Sequence, residues 1–227
     1  MEQIGQIPPL MMRIESNRLY RESSGRQTTI ELARLPWRFG EIRQPQTDYL
    51  LIPKVSSEDR DYIPIGFCPV DTIASGSSLV IGEADIFAFG LLSSAFHAAW
   101  MRYVGGRMKS DYQYSAGLVY NNYPWPPNPT PAKKAKVEEL AQTVLDARAL
   151  YPDSTLAQLY DPLLMPAELV QEHRRLDRAV ERCYRPEPFN SDRERVEFLF
   201  TLCEQLTAPL LPPTTRSRRR VGHRAER

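Results

Sequence analysis

Five prolines, Pro124, Pro126, Pro127, Pro129 and Pro131, fall within eight residues. Proline fixes φ and has no N–H to donate, so neither a helix nor a strand can run through such a segment. The chain must change architecture here. Residues 127–131 read as a stiff linker between an N-terminal part, 1–126, and a C-terminal part, 132–210. The last stretch, 211–227, is rich in Pro, Thr, Ser and Arg and reads as a disordered basic tail.

Downstream of the prolines the apolar residues recur at helical spacing. Val137, Leu140, Ala141, Val144 and Leu145 make one stripe, with Pro131 in its first turn and Thr130 as cap. A short helix is expected over 156–160, after Asp153 or Ser154. Leu169, His173, Leu176, Val180 and Cys183 make a second stripe. Ser191 and Glu194 form a capping-box pattern ahead of a third, Val196, Leu199, Phe200 and Cys203. Three such helices can bury a shared core.

Upstream the pattern is mixed. YLLIPKV (49–55) and YIPIGF (62–67) read as strands around the polar turn SSEDRD. Pro53 and Pro64 each imply an edge or a bulge. Leu79–Ile81 and Ile86–Phe89 read as two more strands. Leu91–Val104 turns helical, with Ser93 or Ser94 as cap and Gly105 as a left-handed stop. The polar stretch 11–35 reads as a strand pair around a mobile turn at Ser23–Gly25. Its Arg13, Arg18, Arg21 and Arg26 read either as phosphate contacts or as ordinary isolated surface arginines. The expected fold class is α+β: a small mixed sheet with a packed helix, followed by a C-terminal helical bundle.

The stretch GGRMKSDYQYSAGLVYNNYPWP (105–126) leaves directly from that helix. It combines Arg107, Lys109 and Asp111 with Tyr112, Tyr114, Tyr120, Tyr123 and Trp125, and has no long apolar run. Two readings are open. One is a nucleic-acid contact loop, in which cations take phosphates or guanine edges and aromatics pack on sugars or bases. The other is a tyrosine-rich hairpin that braces two domains.

Net charge is +1, but its distribution is uneven. Residues 1–130 carry 12 Lys/Arg against 13 Asp/Glu, residues 131–210 carry 11 against 14, and the tail carries 6 against 1. Cys68, Cys183 and Cys203 are far apart, which argues against a disulfide framework and fits a reducing, cytoplasmic setting. No apolar run is long enough to span a bilayer. No G-x-x-x-x-G-K or G-x-G-x-x-G loop, H-E-x-x-H or acid-x-Lys nuclease pattern occurs, and His97, His173 and His223 are widely separated. No catalytic residue, metal site or cofactor site is therefore expected in this chain.

Three long strings carry a specific resemblance: YLLIPKVSSEDRDYIPIGF (49–67), GRMKSDYQYSAGLVYNNYPWP (106–126) and KVEELAQTVLDARALYPDSTLAQLYDPLLMP (136–166). From about Met11 to Leu206 the chain resembles the C-terminal part of the MmeI-like (type IIL) restriction–methylation enzymes and of related adenine-specific DNA methyltransferases. In that family one polypeptide carries a nuclease, a helical spacer, an S-adenosylmethionine-dependent adenine-N6 methyltransferase, a target recognition domain and a C-terminal helical domain. The resemblance implies that this chain is most of the recognition domain, incomplete at its N-terminus, plus the helical domain. It further implies a split or truncated gene, with double-stranded DNA and a methyltransferase domain or subunit as partners.

The resemblance also points to single residues. In the family, a pair of positions spaced one apart in this loop helps set which base is accepted; Lys109 and Asp111 match them. A lysine donates to guanine O6 and N7, and a carboxylate accepts from cytosine N4, so the pair suits the two halves of one G·C pair. A local Lys–Asp surface pair is the plain alternative. Gln113 is a weaker base-reading candidate. Arg107, Ser110 and Tyr112 are candidates for the DNA backbone, and Ser75, Ser77 and Ser78 are weaker contacts. Two other readings remain: a helical protein-interaction module, or an inactive remnant of a split gene.

Overall fold

The computed structural model describes residues 5–208. It divides into two compact units between Gln44 and Pro45.

The first unit is helical where strands were expected. Helix α1 (Pro8–Glu22) starts with two prolines in its first turn, where a missing N–H costs nothing. Arg18 then pairs with Glu15 and Glu22, three and four residues away along the same face. After a turn at Ser23–Gly25, α2 (Gln27–Glu31) runs into one 3₁₀ turn, Leu32–Arg34. The helical period escaped detection because α1 buries none of its residues, so it carries no apolar stripe. Arg21 is committed internally, donating to the carbonyls of Leu32, Leu35 and Arg38.

Among the described residues, all the strands lie in the second unit. β1 (Tyr49–Pro53) lies between β3 (Gly66–Cys68) and β4 (Ser78–Gly82), antiparallel to both. Its register sets Tyr49 opposite Cys68 on one side and Gly82 on the other. β3 ends opposite Leu51, so Pro53 pairs only with Ser78, where its missing donor does no harm. Only the end of the expected 62–67 strand is paired; Tyr62, Ile63 and Ile65 are buried without a ladder around Pro64. β2 (Val55–Ser56), β6 (Asp111–Gln113) and β5 (Gly106–Met108) form a second antiparallel sheet in the order β2-β6-β5.

Two helices replace the expected strand and single helix of 86–104. Asp85 caps α3 (Ile86–Leu92) by accepting from Ala88 N at 2.7 Å, and Ser94 caps α4 (Ala95–Val104). A short apolar run suits a strand or a buried helix equally; here the cap decides. Beyond the prolines come α5 (Pro131–Ala149), α6 (Leu156–Leu159), α7 (Ala167–Tyr184) and α8 (Asp192–Thr207). Thr155, not Asp153 or Ser154, caps α6, with Gln158 completing a capping box. Ser191 caps α8, while the Glu194 carboxylate goes to Asn190 N and Arg185 instead of closing a box. The α8 stripe is Val196, Leu199 and Leu202; Phe200 is 46% exposed.

The proline run is a covalent boundary without being a packing boundary. One core cluster holds Leu50, Ile52, Phe89, Phe96 and Trp100 together with Val137, Val144, Leu169, Leu176 and Leu199. Gly90 makes close packing possible: a Cβ there would lie 2.8 Å from Val137 Cγ1 and 3.1 Å from Ala141 Cβ. Polar ties reinforce the join. Arg148 donates to Ile65 O at 2.7 Å and to the Tyr160 hydroxyl, which meets His173 Nε2 at 2.6 Å. Arg102 reaches Asp192 at 2.8 Å and the carbonyl of Asp61.

Candidate nucleic-acid interface

The candidate loop folds as a two-residue hairpin. β5 and β6 pair Gly106 with Gln113, Arg107 with Tyr112 and Met108 with Asp111, which leaves Lys109 and Ser110 at the tip. Lys109 has φ 60°, a conformation usually left to glycine or asparagine in tight hairpin turns. A lysine held there is a strained residue at an exposed tip, a common mark of a functional position.

The glycine pair fixes how the hairpin leaves α4. Gly105 is extended, with φ −68° and ψ 155°, so the expected left-handed stop is not what it provides. Its role is close approach. A Cβ at Gly105 would lie 2.5 Å from Met101 O, the carbonyl that its own N–H caps. The chain therefore passes from helix to strand with no intervening loop, and the hairpin stands on a buried helix.

Strand alternation sorts the side chains. Tyr112 is buried, and Arg107, directly across the ladder, lies over it with its guanidinium carbon 3.8 Å from the ring centroid. Arg107 also donates to Ser110 O at 2.6 Å and pairs with Glu58 at 3.1 Å. Arg107 and Tyr112 are thus engaged within the hairpin. Asp111 and Gln113 lie on the opposite face of β6. Among the described residues, the side chains of Lys109, Asp111 and Gln113 have no ion-pair or hydrogen-bond partner, and Lys109 and Asp111 do not pair with each other. The hairpin therefore carries three polar side chains free of protein partners on a braced frame: Lys109 at the tip, Asp111 next to it and Gln113 at the root, opposite Gly106.

Below the tip the aromatic residues are structural. Tyr114 and Tyr123 are buried. The Tyr114 hydroxyl meets His97 Nε2 at 2.9 Å, and Tyr184 donates to the Tyr123 hydroxyl at 2.9 Å. Trp125 packs edge-on to Tyr120 and Tyr123. Burial pushes the pKa of His97 down to about 3, so it stays neutral.

The serine turn is joined to this hairpin through a residue the sequence did not single out. Lys54, between β1 and β2, donates its N–H to Ser77 O at 2.9 Å, and its carbonyl accepts from Tyr114 N at 2.8 Å. Its ammonium donates to Gly76 O at 2.7 Å. Ser75 and Ser77 share a hydrogen bond of 2.6 Å, and Ser78 N returns to Ser75 O. Lys54 thus holds the serine turn through its N–H and the root of the hairpin through its C=O. A lone lysine between two short apolar runs carries no signal of this in sequence.

Among the described residues no cluster of three or more His, Cys, Asp or Glu is arranged to hold a metal, and no helix is long and apolar enough to cross a membrane. A family profile described as the MmeI target recognition domain matches residues 1–127. Another, described as the MmeI C-terminal domain, matches residues 129–211. DNA methyltransferase A of Bacillus subtilis (strain 168) is 42% identical over 206 residues, which cover 91% of this chain and 23% of that protein. A solved structure of the type IIL restriction-modification enzyme MmeI in complex with DNA matches with a TM-score of 0.83 and 44% identity, over 88% of this chain and 26% of that one. The chain spans about a quarter of the length of each of these relatives. From these matches and the shared α+β architecture, the chain belongs to the MmeI family, as a target recognition domain followed by the family's C-terminal domain.

Proposed function

We propose that this chain is the sequence-reading part of a site-specific DNA-adenine methyltransferase or restriction–modification enzyme, and that the β5–β6 hairpin enters the major groove of double-stranded DNA. The observation that carries this reading is the contrast at the hairpin. Arg107 is held by Ser110 O, Glu58 and the Tyr112 ring, while Lys109, Asp111 and Gln113 have no protein partner. A rigid frame that presents polar side chains free of protein partners is what base readout needs. Lys109 donates to guanine O6 and N7, Asp111 accepts from the paired cytosine N4, and Gln113 lies beside them as a further edge reader. Ser110, at the tip, is the candidate for a phosphate contact, and Ser75, Ser77 and Ser78, in the adjoining turn, are weaker candidates for contact with DNA.

Methyl transfer, with its S-adenosylmethionine, belongs in this proposal to a methyltransferase domain outside this sequence, in the cytoplasm. The first unit leaves apolar side chains exposed that such a partner could cover. Met12, Tyr20 and Phe39 are each more than 70% exposed, and α1 buries nothing.

The test is binding of duplexes that differ at one base pair at a time, followed by fluorescence anisotropy at two salt concentrations. Salt-dependent affinity that falls when one G·C pair is changed supports the reading. Affinity indifferent to both sequence and salt overturns it.

A further inference from the structure

Helix α7 contains four arginines and four acids, so in sequence it is neutral. Folding sorts them. Asp177 accepts from Tyr62 and from Ala95 N, and Glu181 is buried against Arg195. Glu172 is bonded to Thr143 and Arg175. The arginines face out: Arg174, Arg175, Arg178 and Arg182 are all exposed. At 3.6 residues per turn they fall within an arc of about 100° and span about 12 Å of helix axis. Lys133 and Lys136 of α5 join Arg175, Arg178 and Arg182 in lining an open hollow between the two helices. Among the described residues, the side chains of Arg174, Arg178, Arg182 and Lys133 have no ion-pair or hydrogen-bond partner.

We propose that this face of α7, with the start of α5, is a second DNA-binding surface: it holds the phosphate backbone of the duplex whose bases the hairpin reads. The inference rests on the DNA-reading function proposed above and extends it to the C-terminal domain. Two features favour phosphates over an acidic protein. Three unpaired arginines, Arg174, Arg178 and Arg182, follow one another about 6 Å apart along one helix face, a repeating row of positive charge that suits the repeating charge of a phosphate backbone. The hollow also lacks a large exposed apolar or aromatic anchor: its Leu140 and Ala179 are buried, and its one exposed apolar side chain is the methyl of Ala132. Protein–protein contacts depend on such anchors, whereas phosphate contacts need none. The surface carries no base-reading geometry, so it contributes affinity and orientation and leaves discrimination to the hairpin.

The test uses the whole chain with Arg174, Arg178 and Arg182 all changed to Gln, a change that breaks no ion pair or hydrogen bond. Binding of a preferred and a scrambled duplex is measured across salt concentrations, with thermal unfolding as the check on folding. The expected result is affinity lowered about tenfold or more for both duplexes, with the log–log salt slope reduced by roughly 2–3 and the ratio between duplexes unchanged. Unchanged affinity and slope in a folded variant, where the unaltered chain binds duplex, would overturn this surface and leave the hairpin reading intact. So would a variant that loses binding to polyglutamate but keeps duplex binding, since the face would then serve an acidic protein. Failure of the unaltered chain to bind any duplex would remove both readings together.

Discussion

The Tyr62 hydroxyl donates to Asp177 Oδ2 across 2.8 Å, although 115 positions separate the two residues. The other carboxylate oxygen accepts from Ala95 N, also at 2.8 Å. Asp177 thereby ties the start of α4 and the chain around Tyr62 to α7. Tyr62→Phe leaves a buried carboxylate with one donor instead of two. It is expected to lower stability by roughly 1–3 kcal/mol in urea unfolding. Tyr103→Phe, on a ring that is 58% exposed, is expected to change nothing measurable.

Stability should fall on mild acidification. Burial holds His97 at about 3 and His173 well below the ordinary histidine range, the latter aided by the Arg148 charge. Both stay neutral in the fold but protonate in the unfolded chain near pH 6.5. Their contribution is therefore present above 6.5 and is lost as pH falls towards the folded values, at up to about 1.4 kcal/mol per pH unit for each histidine. Asp177 acts in the opposite sense. Burial raises its pKa from 3.8 to about 6, so it favours the fold below 3.8 and loses that contribution as pH rises through 6. Two histidines outweigh one carboxyl, and the melting temperature is expected to drop between pH 7 and pH 5.

Gly90 tests how tightly the two sides of the proline run are packed. A Cβ at this position already lies 2.8 Å from Val137 Cγ1, so Gly90→Val forces α3 away from α5. The expected cost is about 1–3 kcal/mol, as for other overpacked cores. Gly117, whose added Cβ would meet nothing within 4 Å, is the contrast. Gly117→Ala is expected to be neutral or to stabilise by up to about 1 kcal/mol, as for a glycine in a compatible conformation.

Arg107 separates bracing from phosphate contact. It lies on Tyr112 and holds Ser110 O, so Arg107→Ala is expected to loosen the tip and weaken discrimination between duplexes. The salt slope should stay unchanged. A slope lowered by about 1 would instead make Arg107 a phosphate contact.

What was legible in sequence follows from what each element buries. The stripes of α5 and α7 were readable because Val137, Leu140, Val144, Leu169, Leu176 and Val180 face one core. The hairpin's polar–aromatic content was readable, but its sorting was not: only the β5–β6 register shows that Tyr112 turns inward beneath Arg107 while Asp111 turns away. α1 was misread because it buries nothing, and α3 because Ile86–Phe89 is too short to have a period. The basic face of α7 was hidden for a different reason. Counting charges adds Asp177 and Glu181 to the arginines, whereas the fold ties those acids to Tyr62, Ala95 N and Arg195 and leaves the cations exposed.

The central claim is that Lys109 and Asp111 read one base pair. Exchanging their charges, Lys109→Glu with Asp111→Arg in an active full-length family enzyme carrying this recognition domain, tests it most directly, with the methylated sequence as the readout. The account predicts that the G·C requirement at one target position is lost or moves to a different base pair, with discrimination altered by roughly 1–3 kcal/mol. An active enzyme that methylates the same sequence as before would contradict it.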